Sequence, residues 1–240
     1  MEIPLNPFIP EHIAYVIGYP EGDVRPERDI TRAEAATVFF RLLTDAIRAE
    51  NWTGENPFGD VSPENWYNNA VSVMSKMGIV NGYPEGVFKP DGAITRAELA
   101  VIAARFARAM QMRGGSQVEF NDIGGHWAEY DISYAAEIGW VNGYPDGTFE
   151  PDANITRAES MTLVNRMLRR IPETLDDILF DEMLKWADNA DPNEWYYLAV
   201  QEATNSHVPE SKAAIYEYWV EMLENRDWAQ WEKEQLTFSP

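Results

Sequence analysis

The sequence predicts an all-α fold, a pseudo-threefold bundle of helix-loop-helix units, and three observations carry that prediction. The phrase Ile-Thr-Arg-Ala-Glu occurs identically at 30–34, 94–98 and 155–159. A Gly-Tyr-Pro-Glu/Asp-Gly phrase precedes each copy, at 18–22, 82–86 and 143–147. Apolar residues follow each copy at helical rather than alternating intervals. Self-similarity at a fixed period is the signature of a repeat architecture, in which units bury their faces against one another.

The unit has two halves. In the first, Phe58-Gly59-Asp60-Val61 or Phe120-Asn121-Asp122-Ile123 leads to a tryptophan, Trp66 or Trp127. The apolar positions then continue as Val71, Met74, Met77 or Ile132, Ala135, Ile138, the spacing of a short buried helix. Gly78 and Gly139 are its expected terminators. In the second half, the Tyr-Pro-x-Gly phrase fits a type I turn. Thr31 with Glu34, Thr95 with Glu98 and Thr156 with Glu159 then form the S/T-x-x-E capping box of a longer helix. The apolar faces of those helices are Val38, Phe39, Leu42; Leu99, Ile102, Ala103, Phe106; and Met161, Val164, Met167, Leu168.

Two half units remain. Residues 1–50 carry a turn and capping box with no tryptophan half, whereas 173–207, through Trp186 and Trp195-Tyr196-Tyr197, restate a tryptophan half with no turn after it. An uncovered apolar face must be covered somewhere, so 180–207 are expected to pack on 12–48. The organisation read from the chain is therefore 1–50, the second half of a first repeat; 57–112 and 118–171, two intact repeats; 173–207, the half that completes the first; and 208–240, a C-terminal helix. Ile215, Tyr216, Trp219, Met222 and Leu223 have the spacing for that last helix, with Trp228 and Trp231 trailing.

Composition narrows the function classes. Hydrophobic residues make up 45% of the 240 and charged ones 25%, enough for a buried core. With 40 acidic residues against 19 basic ones the net charge is −21, which repels nucleic acid and anionic membrane, so neither is an expected partner. No run approaches the ~18 apolar residues of a membrane helix. Met1 to Pro10 lack the basic patch and apolar run of a secretory signal, so any export signal is expected outside this stretch. There is no cysteine, and His12, His126 and His207 lie far apart in sequence, so no zinc site, other metal or cofactor is expected. Glu85, Asp91, Asp146 and Asp152 lack the ligand pattern of a calcium loop and read as solvated turn carboxylates.

Phe-x-Asp-Val/Ile before a tryptophan, then Gly-Tyr-x-x-Gly, then Ile-Thr-Arg-Ala-Glu at this spacing resembles the S-layer homology domain, over roughly 12–207. The resemblance implies three repeats around a pseudo-threefold axis, with grooves between neighbours that bind secondary cell-wall polysaccharide, often pyruvylated. It implies a non-catalytic module on the bacterial cell surface that anchors a protein to the wall. The arginine of the Thr-Arg-Ala-Glu phrase is the family's chief ligand residue, which maps to Arg32, Arg96 and Arg157. Trp66, Trp127, Gly82 and Gly143 map as further groove residues. The first repeat departs from the pattern, with Ile17 where the others have Asn81 and Asn142.

The residues themselves leave some roles open. Arginine at the first helical position opposes the helix dipole, so stability does not ask for it. It is either a partner for a nearby carboxylate or, with the free amides of a helix start, a carboxylate site. Trp66, Trp127 and Trp195 each start a helix on its apolar side, which favours core packing over stacking on sugar. Asp60 and Asp122 either cap the following helix or face the groove. The alternative function is a module for protein-protein interaction or self-association at the cell surface. A wall-glycan hydrolase is a third reading, because paired carboxylates perform that chemistry, but no nucleophile constellation accompanies them.

Overall fold

The computed structural model describes residues 12–112, 118–212 and 216–238, with side chains to 234 at the C-terminal end. The Met1–Pro10 reading and Ile215 lie outside the described residues.

Three long helices open on complete capping boxes: α1 (Arg32–Arg41), α4 (Arg96–Ala109) and α6 (Arg157–Leu168). In each, the threonine hydroxyl accepts from the glutamate amide and the glutamate carboxylate accepts from the threonine amide, so two orphan donors are satisfied reciprocally. α2 (Asp45–Asn51) follows α1. Each long helix carries a short one on its apolar face: α3 (Asn68–Lys76) packs on α1, α5 (Glu129–Glu137) on α4, and α7 (Tyr197–Thr204) on α6. Val71, Met74, Ile132, Ala135, Val200 and Ala203 are wholly buried there. Gly78 and Gly139, at φ 71° and 79°, end α3 and α5 in the left-handed conformation that glycine adopts without a Cβ penalty.

The long helices start around a common axis. There the Ile30 amide donates to the Ile155 carbonyl, Ile155 to Ile94 and Ile94 to Ile30, each at 3.1 Å, so three identical backbone bonds form a closed ring. All three isoleucines are buried. The next two amides of each helix are also used by a neighbour: Arg32 and Ala33 donate to Gly92 and Pro90, Arg96 and Ala97 to Ala153 and Pro151, and Arg157 and Ala158 to Arg28 and Pro26. Orphan donors that would otherwise need water or a ligand thus join one repeat to the next.

A second recurrent set of bonds lies where a short helix turns into the following extended segment. Ile79 and Val80 both donate to the Met74 carbonyl, at 2.9 and 3.2 Å, and Trp140 and Val141 to Ala135, at 2.9 and 3.3 Å. Between the chain ends, Tyr15 and Val16 donate to Ala203, at 3.1 and 3.0 Å. The same recurrence holds for a carboxylate that ties down a loop: Asp60 accepts from Phe88 and Lys89, Asp122 from Phe149 and Glu150, and Asp188 from Val24 and Arg25. The second residue of each pair lies at positive φ, 57°, 55° and 51°, unusual for a side chain with a Cβ, and the carboxylate holds it there. Asp60 and Asp122 are therefore loop ties and not caps of the short helices.

The all-α expectation fails after residue 206. His207–Ser211 (β1) and Glu217–Met222 (β2) form an antiparallel hairpin with an irregularity between Val208 and Pro209, so the fold is mixed. The apolar spacing of 216–223 suggests a helix, but Glu217 and Trp219 point inward together as alternate residues of a strand. Their indole and carboxylate meet polar partners that a helix packed on an apolar face would not offer. A helix does follow, α8 (Trp228–Phe238), whose Trp231 packs on Phe40 and Trp52. No helix among the described residues is long and apolar enough to cross a membrane.

Candidate functional site

Three grooves lie between the repeats, and each takes contributions from four different stretches of chain. The first is lined by Arg32, by Gly82 and Tyr83 of the turn, by Glu98 and Arg105 of α4, and by Trp127. The second repeats this set as Arg96, Gly143, Tyr144, Glu159, Arg166 and Trp195. In the third the set is Arg157, Gly18, Tyr19, Glu34, Arg41 and Trp66.

The helix-start arginines are held by several partners each, Arg32 and Arg157 buried and Arg96 partly so. Arg32 Nε donates to the Phe88 carbonyl at 2.7 Å, one terminal nitrogen to Asn81 O at 2.9 Å, and the other pairs with Glu98 at 2.9 Å. Arg96 does the same with Phe149 O at 2.7 Å, Asn142 O at 3.3 Å and Glu159 at 3.5 Å. Arg157 donates to Val24 O at 2.8 Å and pairs with Glu34 at 3.0 Å. Each guanidinium also sits about over the turn tyrosine, 4.8, 4.7 and 5.0 Å from the ring centre. Burial works to lower the pKa of Arg157, and Glu34 works against that. The opposing helix dipole is thus offset by the capping-box glutamate of the neighbouring repeat. The free amides expected beside these arginines are absent, since each is spent on the adjoining loop.

The tryptophans stand outside the core. Trp66, Trp127 and Trp195 are 59%, 65% and 63% exposed. Their helices bury the next residues instead, Tyr67, Ala128 and Tyr196. Core packing, which the spacing favours, is therefore incorrect: a tryptophan two places before the first helical residue projects past the apolar stripe into the neighbouring groove.

The turn glycines are dictated by close approach. A Cβ on Gly82 would lie 2.3 Å from Phe58, on Gly143 2.5 Å from Phe120, and on Gly18 2.0 Å from Trp186. The aromatic that opens each tryptophan half thus occupies the space of the missing side chain. The Gly86, Gly147 and Gly22 amides close the four-residue turns onto Tyr83, Tyr144 and Tyr19, at 3.0, 3.0 and 2.9 Å.

Of the residues singled out from sequence, Arg32, Arg96, Arg157, Trp66, Trp127, Gly82 and Gly143 line grooves, whereas Asp60 and Asp122 belong to the loops behind them. Sequence reasoning missed the turn tyrosines and a second arginine, Arg41, Arg105 or Arg166. The signal was present: that arginine stands two helical turns after the capping-box glutamate in all three copies. Arg105 donates to the Asn81 side-chain oxygen at 3.0 Å, with the amide oriented by its partners. Arg41 donates to Tyr15 O at 3.1 Å, and burial lowers its pKa to about 10, which leaves it charged at neutral pH. Arg166 is exposed.

A model of the S-layer homology domain matches residues 57–100 and 119–159. The chain is 41% identical over 171 residues to cell surface glycoprotein 1 of Acetivibrio thermocellus, covering 68% of this chain and 7% of that protein. It is 37% identical over 212 residues to the cellulosome-anchoring protein of the same organism, covering 86% of this chain and 45% of the relative. Amylopullulanase of Thermoanaerobacterium thermosulfurigenes is 33% identical over 165 residues, 65% of this chain and 8% of the enzyme. The chain thus spans less than half the length of these relatives. Two matched repeats and relatives that share them place the chain among the S-layer homology domain proteins.

Proposed function

We propose that the chain is a non-catalytic module that holds a protein at the bacterial cell surface by gripping cell-wall polysaccharide in the grooves between its repeats. The observation that carries this reading is the threefold recurrence of one groove, with arginine, tyrosine, glutamate, second arginine and exposed tryptophan each time. Relatives named as cell surface and cellulosome-anchoring proteins agree with it. The likeness to the amylopullulanase covers 8% of that enzyme, so it supports a carried anchor and not its chemistry.

On this reading residues 12–48 and 180–207 form a third repeat split between the chain ends, because the bonds of Tyr15 and Val16 with Ala203 and the close approach of Trp186 to Gly18 repeat those of the contiguous units. The ligand is a pyruvylated polymer whose carboxylates are met one at a time. A chain with a net charge of −21 holds an anionic polymer only where cations are local and directed. Arg32, Arg96 and Arg157 already have partners for their guanidinium groups, so they shape the groove and bias its potential. Arg105 and Arg166 supply the fork for the carboxylate, and the exposed indoles of Trp127 and Trp195 supply a face for the sugar.

Calorimetry with a pyruvylated wall-polymer fragment and its unsubstituted twin tests the reading. Arg105→Ala or Arg166→Ala is expected to weaken binding by about 1.5–3 kcal/mol, the range for a hydrogen bond to a charged group, with Tm unchanged. Equal affinity for the two fragments overturns the carboxylate assignment. Retention on purified wall after chemical removal of the polymer would favour protein partners instead.

A further inference from the structure

Outside the grooves, four side chains converge behind the hairpin. His12 Nδ1 lies 3.1 Å from His207 Nε2, 3.2 Å from Glu217 Oε1 and 3.6 Å from Glu202 Oε1. His207 Nε2 lies 3.4 Å from Glu202 Oε2 and 3.7 Å from Glu217 Oε1. All four groups offer an atom within 4.8 Å of the others. The two histidines, 195 residues apart in sequence, are brought together by a backbone bond from the His207 amide to the His12 carbonyl at 2.9 Å. Distance along the chain, the ground for expecting no zinc site, is thus cancelled by the meeting of the chain ends.

The cluster is short of positive charge and of protons. His207 Nδ1 faces the Asn205 carbonyl at 3.0 Å, and a carbonyl only accepts, so the ring proton sits there and Nε2 presents a lone pair. That lone pair faces another imidazole nitrogen and two carboxylates. Glu202 Oε1 and Glu217 Oε1 are buried and receive no hydrogen bond of good geometry, and the Glu202 side chain is fully buried. Arg170 lies close enough to act on Glu202 and contributes one positive charge against two carboxylates. A buried anionic remainder of this kind is costly unless a proton or a cation meets it.

We propose that His12, Glu202, His207 and Glu217 form a closed structural site for a divalent cation of the zinc class, which fastens the N-terminal segment to the C-terminal hairpin. Two imidazole nitrogens and two carboxylate oxygens are a borderline donor set that suits zinc over calcium or magnesium. A tetrahedral zinc with bonds of about 2.0–2.2 Å separates its ligand atoms by roughly 3.3–3.6 Å; the pairs that include a histidine, at 3.1–3.7 Å, bracket that spacing, and one atom from each of the four residues lies within 4.8 Å of the others. Outer contacts orient the ligands as zinc sites require: Asn205 O fixes the His207 tautomer, Trp219 stacks on the His207 ring at 4.1 Å, and Trp219 Nε1 donates to Glu202 Oε2 at 2.9 Å. With four protein ligands and little exposure the site leaves no open position, which marks it as structural. In a chain with no cysteine, it takes the place of a disulfide between the ends.

The test uses the full chain, stripped with chelator and titrated with Zn2+ alone. One equivalent is expected to bind, Tm is expected to rise with zinc and not with equal Mg2+ or Ca2+, and Co2+ in its place is expected to give the intense visible bands of tetrahedral cobalt. Glu202→Gln, which keeps the side-chain shape, and His12→Ala should each abolish the zinc-dependent rise in Tm. His126→Ala should leave it intact. Trp219→Phe should weaken zinc about 10–100-fold through loss of the outer hydrogen bond. No stoichiometric binding by the unaltered chain, or binding that survives both Glu202→Gln and His12→Ala, overturns the proposal.

Discussion

The seam inside a contiguous repeat and the seam between the chain ends are built from the same bonds but closed at different entropic cost. At Met74 the carbonyl meets amides five and six residues on, whereas at Ala203 the partners, Tyr15 and Val16, lie at the other end of the chain. Loop-closure entropy grows with separation, slowly but without return in contacts. Among the described residues the end seam has further fastenings of its own. Trp228 Nε1 donates to Ala14 O at 3.2 Å, the Ala14 amide donates to Ser206 Oγ at 2.9 Å, and the Tyr15 hydroxyl reaches Asn165 at 2.5 Å. Trp186 replaces phenylalanine against the turn glycine and adds an Nε1 bond to Thr204. The difference teaches that geometry can be repeated without chain continuity when extra burial and hydrogen bonding offset the closure cost.

Removing residues 180–240 breaks the comparison most severely. It strips α7 from α6, the Ala203 carbonyl from Tyr15 and Val16, and Trp231 from Phe40. Native-state hydrogen exchange should show lost protection over 13–25, α1 and α6, with protection kept near Ile79, Val80 and α4. Uniform loss through the chain would mean that the three units fold only as one and that the seams are not separable.

Next in size are the aromatics against the turn glycines. Phe58→Ala and Trp186→Ala each empty the space beside Gly82 or Gly18, at a cost of about 3–5 kcal/mol where the side chain is well buried. Trp186 is only partly buried but also gives up its bond to Thr204, so denaturant unfolding should place the two variants close together. A much smaller cost for Trp186→Ala would show that the end seam is held chiefly by the hairpin and α8.

Asp60→Ala and Asp188→Ala sharpen the comparison at finer scale. Either change leaves two amides without their acceptor, one of them on a buried residue, Phe88 or Val24, and costs about 1–3 kcal/mol. Equal losses measured by denaturant unfolding would establish that the tie is worth the same whether or not the loop and its aspartate share a contiguous repeat.

What was legible in the sequence divides along the same line. Capping boxes, turns and glycine stops are local, decided by residues three to five apart, and all three copies of each capping box are formed. The pairing of ends was expected from an uncovered face, without its register. The hairpin was misread because the apolar residues of 216–223 fit helical spacing, while Glu217 was not recognised as an inward-facing residue whose partners arrive from His12 and His207. The amide donors of the helix starts were expected to be free, one ground for the carboxylate-site alternative, because their acceptors, Gly92, Ala153 and Arg28, come from other repeats. Contacts made across the axis leave no mark on spacing along the chain.

The smallest stability effect, and the most informative for function, belongs to the exposed tryptophans. Trp66, Trp127 and Trp195 occupy matching places, yet the third groove differs around them: Ile17 stands where Asn81 and Asn142 stand elsewhere, and Met161 joins it in the lining. Each indole is more than half exposed, so replacement by alanine should change folding stability by no more than ~0.5 kcal/mol. Retention on purified cell wall should respond differently. Trp127→Ala and Trp195→Ala remove the sugar-facing wall of grooves whose second arginines, Arg105 and Arg166, border the same space, and both should weaken retention at unchanged Tm. Trp66→Ala should weaken it less, because Arg41 is drawn to the Tyr15 carbonyl and the groove is more apolar, which suits a carboxylate poorly. Linked grooves on one polymer raise effective concentration for each other, so the ranking is read most clearly with a short fragment that can fill only one. Equal losses for all three on that fragment would show that the groove lined by Ile17 and Trp66 binds as the other two do, and that isoleucine in the place of asparagine is without consequence for the ligand.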